Sequence, residues 1–174
     1  MALKTHTLTL MRHAKSDWND ASLSDHDRPL NERGERDAPE MGRRIKAMGL
    51  RPSLLLTSTA VRAVETCKAV ATAVGFPLEF IHRERSLYLA EPANILAALA
   101  AEDPTFHHII VFGHNPGISE LANALSDNLV GDMPTGAFLS VAAEAPDWAS
   151  FAHADVRILG YDYPKNPSGP ITRI

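Results

Sequence analysis

Thr7-Leu8-Thr9-Leu10-Met11-Arg12-His13-Ala14-Lys15-Ser16-Asp17 is the stretch that decides the fold. An apolar run stops abruptly on an Arg-His pair, and polar residues follow. That pattern describes a buried strand handing two functional side chains to the loop at its C-terminal end, where open α/β sheets place their ligand crevices. Two later stretches repeat the arrangement. Ser58-Thr59-Ala60-Val61-Arg62-Ala63-Val64-Glu65-Thr66 sets Arg62 just past the apolar run Leu54-Leu55-Leu56, and Ile109-Ile110-Val111-Phe112-Gly113-His114 sets a histidine just past another. Two arginines and two histidines at the ends of three strands describe an anion site.

Between these strands the chain alternates with helical patterns. Asn31 to Met48 carries Ala38, Met41, Ile45 and Met48 on one face and stops at Gly49, with Pro39 marking either a late start or a kink. Ser58 or Thr59 can cap a helix whose apolar positions run from Ala60 to Val74. Leu78 to Ile81 reads as a short third strand, and a further helix lies near Ala93 to Ala101. His108 to Phe112 is the clearest strand; Asn115 and Pro116 offer an N-cap and a first-turn proline for the next helix. Ala137 to Ala142 and Val156 to Tyr161 read as the last two strands, and the prolines and glycine after about residue 162 predict an irregular tail. The alternation implies an α/β class, a three-layer α/β/α arrangement around a mostly parallel sheet with right-handed crossovers. Strand order is not set by spacing.

With 174 residues, the chain suits one domain spanning residues 1–174 and is short for two. Seventeen Lys and Arg against 21 Asp and Glu give a net charge of -4, which argues against general attraction to nucleic acid or an anionic membrane. Any phosphate affinity must be local. Cys67 is the single cysteine, so no internal disulfide forms, and the opening Met1 to His6 lacks the basic and apolar tandem of a signal peptide. A cytoplasmic location is the expectation.

The chain resembles the histidine phosphatase superfamily. Its Arg-His-Gly signature stands here as Arg12-His13-Ala14, its Ser-x-x-x-Arg-Ala-x-Glu-Thr segment as Ser58 to Thr66, and its second histidine as Gly113-His114-Asn115. Asp27-Arg28-Pro29-Leu30 with Arg33-Gly34, and His114-Asn115-Pro116-Gly117, resemble the small SixA-like phosphohistidine phosphatase branch. The resemblance implies the three-layer, phosphoglycerate mutase-like fold. It also implies His13 as a nucleophile that forms a phosphohistidine intermediate, with His114 donating to the phosphoryl oxygens. Ala14 in place of the usual glycine would matter if the backbone there needed positive φ.

Those roles fit the chemistry of the side chains. Arg12 and Arg62 are permanently charged forks suited to bidentate phosphate contact, and neutral imidazole has a lone pair near neutral pH. Larger relatives place a general acid after the third strand, where Glu91 lies, while Asp17 sits in the loop after the nucleophile; either can be the acid, or neither. A phosphohistidine leaving group depends less on one. Zinc is the rival chemistry, but there is no His-Glu-x-x-His pair or cysteine cluster, and two arginines would repel a cation. No metal or cofactor is therefore expected. His6, His26, His82, His107, His108 and His153 read as ordinary surface or core residues. The reading is a phosphatase for a phosphate-bearing substrate, in particular a phosphohistidine protein. A broad phosphomonoesterase and a silent phosphoprotein-binding module are the alternatives.

Overall fold

The computed structural model describes residues 2–167 and 169–170. Its elements are β1 (Lys4–Arg12), α1 (Glu32–Ala47), β2 (Leu54–Thr57), α2 (Val61–Val74), β3 (His82–Arg83), α3 (Pro92–Ala100), β4 (His108–Gly113), α4 (Gly117–Ser126), β5 (Phe138–Ala145), α5 (Trp148–Phe151) and β6 (Arg157–Asp162). The six strands form one sheet in the order β3-β2-β4-β1-β5-β6. The pairings β2–β3, β2–β4 and β1–β4 are parallel, whereas β1–β5 and β5–β6 are antiparallel. The sheet is thus parallel through its first four strands and mixed as a whole.

Strand alternation divides the core. Leu8, Leu10, Leu54, Leu56, Ile109 and Val111 face one side, where they meet Ile95 and Leu99 of α3, Ile118 and Leu121 of α4, and Trp148 and Phe151 of α5. Met11, Leu55, Ile110 and Phe112 face the other and meet Met41 and Ile45 of α1 with Cys67 and Val70 of α2. Each fully buried aliphatic or aromatic side chain of this kind stabilises the fold by roughly 1.5–3 kcal/mol. The two faces follow from handedness. The chain steps outward through β1, β2 and β3 with α1 and α2 on one face, then returns to β4 with α3 on the opposite face, as right-handed crossovers require.

The local elements depart from the sequence pattern in a few places. Leu78 to Ile81 is not a strand: Leu78–Phe80 is one 3-10 turn, and the edge strand is His82–Arg83. Leu78 and Phe80 are exposed, so their apolar character is not the mark of a buried strand. Helix α2 has Ala60 rather than Ser58 or Thr59 at its N-cap, and α4 begins at Gly117 behind Pro116. The side chain of Asn115 goes elsewhere, donating to Asp132 Oδ1 and to the Met133 carbonyl, both at 3.0 Å. Helix α1 continues through Pro39. The described part of the tail is irregular but fastened, since Arg44 of α1 donates to the Tyr163 carbonyl at 3.0 Å and the Pro164 carbonyl at 3.3 Å. Ser168 and residues 171–174 of that tail lie outside the described residues.

Candidate active site

The C-terminal ends of β1, β2 and β4 are neighbours in the sheet, so the three loops that follow them converge. His13 N–H donates to the Gly113 carbonyl and Ser58 N–H to the Phe112 carbonyl, carrying the parallel ladder one residue past the strands. Two glycines permit the close packing behind the loops. A Cβ on Gly34, in the first turn of α1, would lie 2.1 Å from the Lys15 carbonyl oxygen, and one on Gly117 would lie 1.8 Å from that of Ala90.

Arg12, His13, Arg62 and His114 all line one cavity of about 250 Å3 at these strand ends, together with Arg28 and Lys15. The two imidazole rings are 5.2 Å apart, centroid to centroid. A larger depression, about 880 Å3, lies on the outer faces of α1 and α2 around Pro39, Ala69 and Ala73, and touches none of these four residues. Its lining sets Arg43, Lys46 and Thr72 among alanines and a proline and includes neither histidine, so the smaller cavity is the candidate site.

Hydrogen bonds assign the protons. His13 Nδ1 lies 2.7 Å from the carbonyl oxygen of Ala14, which can only accept, so Nδ1 carries the hydrogen and Nε2 keeps its lone pair. Ala14 N–H is in turn held by Thr66 Oγ1 at 3.0 Å, and the Thr66 hydroxyl donates to the Arg62 carbonyl at 2.7 Å. The nucleophile loop is thereby pinned to the first turn of α2. Ala14 has no positive φ, so its methyl group causes no backbone strain there. Arg62 Nε donates to His13 Nε2 and its Nη2 donates to His114 Nδ1, each at 3.4 Å. Because guanidinium only donates, His114 carries its hydrogen on Nε2 and gives it to Ser58 Oγ at 2.8 Å.

Burial, with help from the arginines and, for His114, from His13, pushes both imidazoles toward the neutral form. His13 is lowered to about 4 by burial first and then by Arg62, Arg12 and Arg28, working against the Ala14 hydrogen bond. His114 is lowered to about 3 by burial, His13 and Arg62. Arg12 donates from Nη1 to the Met133 carbonyl at 2.9 Å, and its buried Nε has no hydrogen-bond partner among the described residues.

The two carboxylates proposed as acids are not brought to this cavity. Asp17 accepts from the backbone N–H of Asn19 at 2.8 Å, closing its own turn, and lines a separate depression beside α1. Glu91 is the exposed residue preceding α3. The sequence patterns do not single out Asp25, and Arg28 stands in them only as part of the Asp27-Arg28-Pro29-Leu30 motif, with no site role given to it. Asp25 Oδ2 accepts from Arg62 Nη2 at 3.0 Å and from the Tyr88 hydroxyl at 2.5 Å, while Oδ1 accepts from Arg28 Nε at 3.2 Å and Nη2 at 3.0 Å. Burial opposes ionisation of this carboxyl, but the hydrogen bonds from Tyr88, Arg28 and Arg62 outweigh it and hold Asp25 well below the usual carboxylate range. Arg28 stacks its guanidinium 3.4 Å from the centre of the Trp18 ring. The one signal for this pair is the Asp25-to-Pro29 run beside the site loop. Its i,i+3 spacing gains meaning only once the loop folds as a 3-10 turn. Among the described residues no group of three or more His, Cys, Asp or Glu could hold a metal ion, and no helix is long and apolar enough to cross a membrane.

A mixed α/β sheet whose parallel strand ends and adjoining loops bring three arginines and two imidazoles to one cavity is an arrangement suited to an anion. The chain belongs to the histidine phosphatase superfamily, whose branch 1 model matches residues 8–88. It is 30% identical over 165 residues to an uncharacterized protein of Mycobacterium tuberculosis, covering 89% of this chain and all of that one. It is also 38% identical over 127 residues to an uncharacterized chloroplast protein of Arabidopsis thaliana, covering 68% of this chain but only 58% of that protein's length. Among solved structures, SixA of Agrobacterium tumefaciens superposes with a TM-score of 0.75 at 26% identity, over 91% of this chain and 98% of that one. The protein histidine phosphatase SixA complexed with tungstate has the same fold, with a TM-score of 0.75 at 21% identity, over 91% of this chain and 97% of that one.

Proposed function

We propose that this chain is a metal-independent phosphatase that removes the phosphoryl group from phosphohistidine on a protein, through a phosphohistidine intermediate on His13. One observation carries the reading. The His13 ring is neutral and fixed by the Ala14 carbonyl, so that Nε2 presents its lone pair in a cavity walled by Arg12, Arg28 and Arg62. In the first step a bond forms from Nε2 to phosphorus as the bond from phosphorus to the leaving imidazole nitrogen breaks. The electron pair stays on that nitrogen, which takes a proton from water. In the second step water attacks phosphorus and Nε2 departs with its electron pair. The proton that the attacking water gives up neutralises the hydroxide left by the first step, so that inorganic phosphate and neutral His13 remain. The arginines neutralise charge on the non-bridging oxygens throughout. His114 Nδ1 faces the same guanidinium edge; a phosphoryl dianion beside it raises its proton affinity and turns Nδ1 into a donor.

What the cavity holds supports that choice of leaving group. No carboxyl lines it among the described residues, and Asp25, bound to the arginines, is kept ionised and has no proton to give. Imidazole departs from phosphorus more readily than an alkoxide and depends less on a strong acid. Size agrees, since about 250 Å3 falls below the roughly 300–1,000 Å3 of sites that enclose a metabolite. A phosphoryl group at the tip of a larger body fits better.

The test compares catalytic efficiency on a phosphohistidine-bearing phosphocarrier protein with that on sugar phosphates and phosphoglycerates. The phosphoprotein is the expected preference. A small metabolite preferred by about a hundredfold, equivalent to ~2.7 kcal/mol of transition-state discrimination, overturns the substrate assignment. Brief incubation with labelled phosphodonor is expected to give an acid-labile, base-stable phosphoenzyme that His13→Ala lacks. Label retained in that variant defeats the mechanism, and phosphate binding without any turnover would instead make the chain a binding module.

A further inference from the structure

We infer that Asp25 is a positioning residue that pre-aligns Arg62 and Arg28 for the transition state, an inference that rests on the phosphatase reading of the same site. The geometry of Arg62 shows how. Its Nε and one Nη2 hydrogen point at His13 Nε2 and His114 Nδ1, the edge that a phosphoryl group attached to His13 would meet. Its opposite edge is held twice by Asp25, through the backbone carbonyl to Nη1 at 2.6 Å and through Oδ2 to Nη2 at 3.0 Å. Without that second grip the long side chain would be free to rotate its donors away from the imidazoles.

The other carboxylate oxygen does the same for Arg28. Oδ1 takes Nε and Nη2, which leaves Nη1 to Ser16 Oγ at 2.8 Å, and the Trp18 ring covers the guanidinium face. One carboxylate therefore sets two of the three cavity arginines. Tyr88 fixes Asp25 in turn, donating its hydroxyl to Oδ2, with its ring edge-on to His114 at 5.4 Å between centroids. The arrangement carries a cost, since a negative group beside the arginines competes with the phosphoryl dianion for them. Asp25 therefore opposes ground-state phosphate affinity while favouring the aligned geometry, and its removal should separate the two.

The test measures binding of inorganic phosphate and of orthovanadate, which mimics the five-coordinate transition state, by calorimetry, alongside turnover of an aryl phosphate. In Asp25→Asn, orthovanadate affinity and kcat are expected to fall at least tenfold while phosphate affinity changes less than threefold. In an Arg62→Lys background, the same change is expected to cost clearly less than it does in the wild type, because only the Arg28 fork is left for Asp25 to align. Equal losses for phosphate and orthovanadate, or a full tenfold loss in the Arg62→Lys background, overturn the inference. If Asp25→Asn fails to fold, Tyr88→Phe decides: it should weaken orthovanadate more than phosphate, and parity between the two refutes the role. A wild-type chain that binds both anions without turning over any phosphate ester or phosphohistidine protein refutes the phosphatase reading, while the binding measurements still judge Asp25.

Discussion

Gly34→Ala probes how tightly the nucleophile loop depends on α1. Gly34 is the third residue of that helix, and its N–H donates to Asn31 Oδ1 at 2.9 Å. An added Cβ would sit 2.1 Å from the Lys15 carbonyl oxygen and 3.0 Å from the Lys15 nitrogen, about 1.3 Å short of the 3.4 Å at which ordinary contact begins. Both neighbours are backbone, so no side-chain rotation relieves the clash. The same Lys15 carbonyl accepts from Asn31 N–H at 2.9 Å, so moving it also loosens the helix cap. Overpacking of this kind costs about 1–3 kcal/mol, partly offset by the roughly 1 kcal/mol that alanine gains over glycine in a helix. The larger effect is on chemistry. Lys15 follows Ala14, whose carbonyl holds the His13 ring; a displacement near 1 Å at a reacting group costs on the order of a hundredfold in rate. The assay is kcat on an aryl phosphate beside thermal unfolding of both chains. A variant that folds is expected to lose far more activity than stability. Wild-type kcat in a folded Gly34→Ala chain would refute the coupling between α1 and the nucleophile.

Stability should fall in acid well above the carboxylate range. His13 and His108 are lowered to about 4 and His114 to about 3, burial being the first cause for each. The unfolded chain binds protons below about 6.5 that the folded chain refuses, so stability is full above that pH and is lost as pH falls toward 4. The slope is ~1.4 kcal/mol per pH unit for each histidine, read from urea unfolding at pH 7, 6 and 5; a flat profile contradicts neutral burial. Thr66→Val removes the hydroxyl that accepts from Ala14 N–H while keeping the side-chain shape, and should lower kcat with little change in fold, checked by steady-state kinetics and circular dichroism. Cys67 is fully buried in the core beneath α2 and burial pushes its thiol up, so iodoacetamide should leave the native chain active and label it only after unfolding, as mass spectrometry would show.

What the amino-acid order determined by itself is local: apolar runs of strand length, helical spacing between them, and Arg12, His13, Arg62 and His114 just past three of those runs. Each is legible because strand and helix periods and the polar switch at a strand end are properties of a few adjacent residues. Leu78 to Ile81 misled because an exposed apolar turn and a buried strand share a composition, and only neighbours distinguish them. Tertiary structure alone decided the strand order, and with it the adjacency of β2, β4 and β1 that makes four separate side chains one site. It likewise turned Asp17 into its own loop, left Glu91 exposed and carried Asp25 across to Arg62, 37 residues further along the chain. The protonation of the two histidines belongs to that level too. Burial and nearby guanidinium charge set it, and both arise only when distant segments pack together.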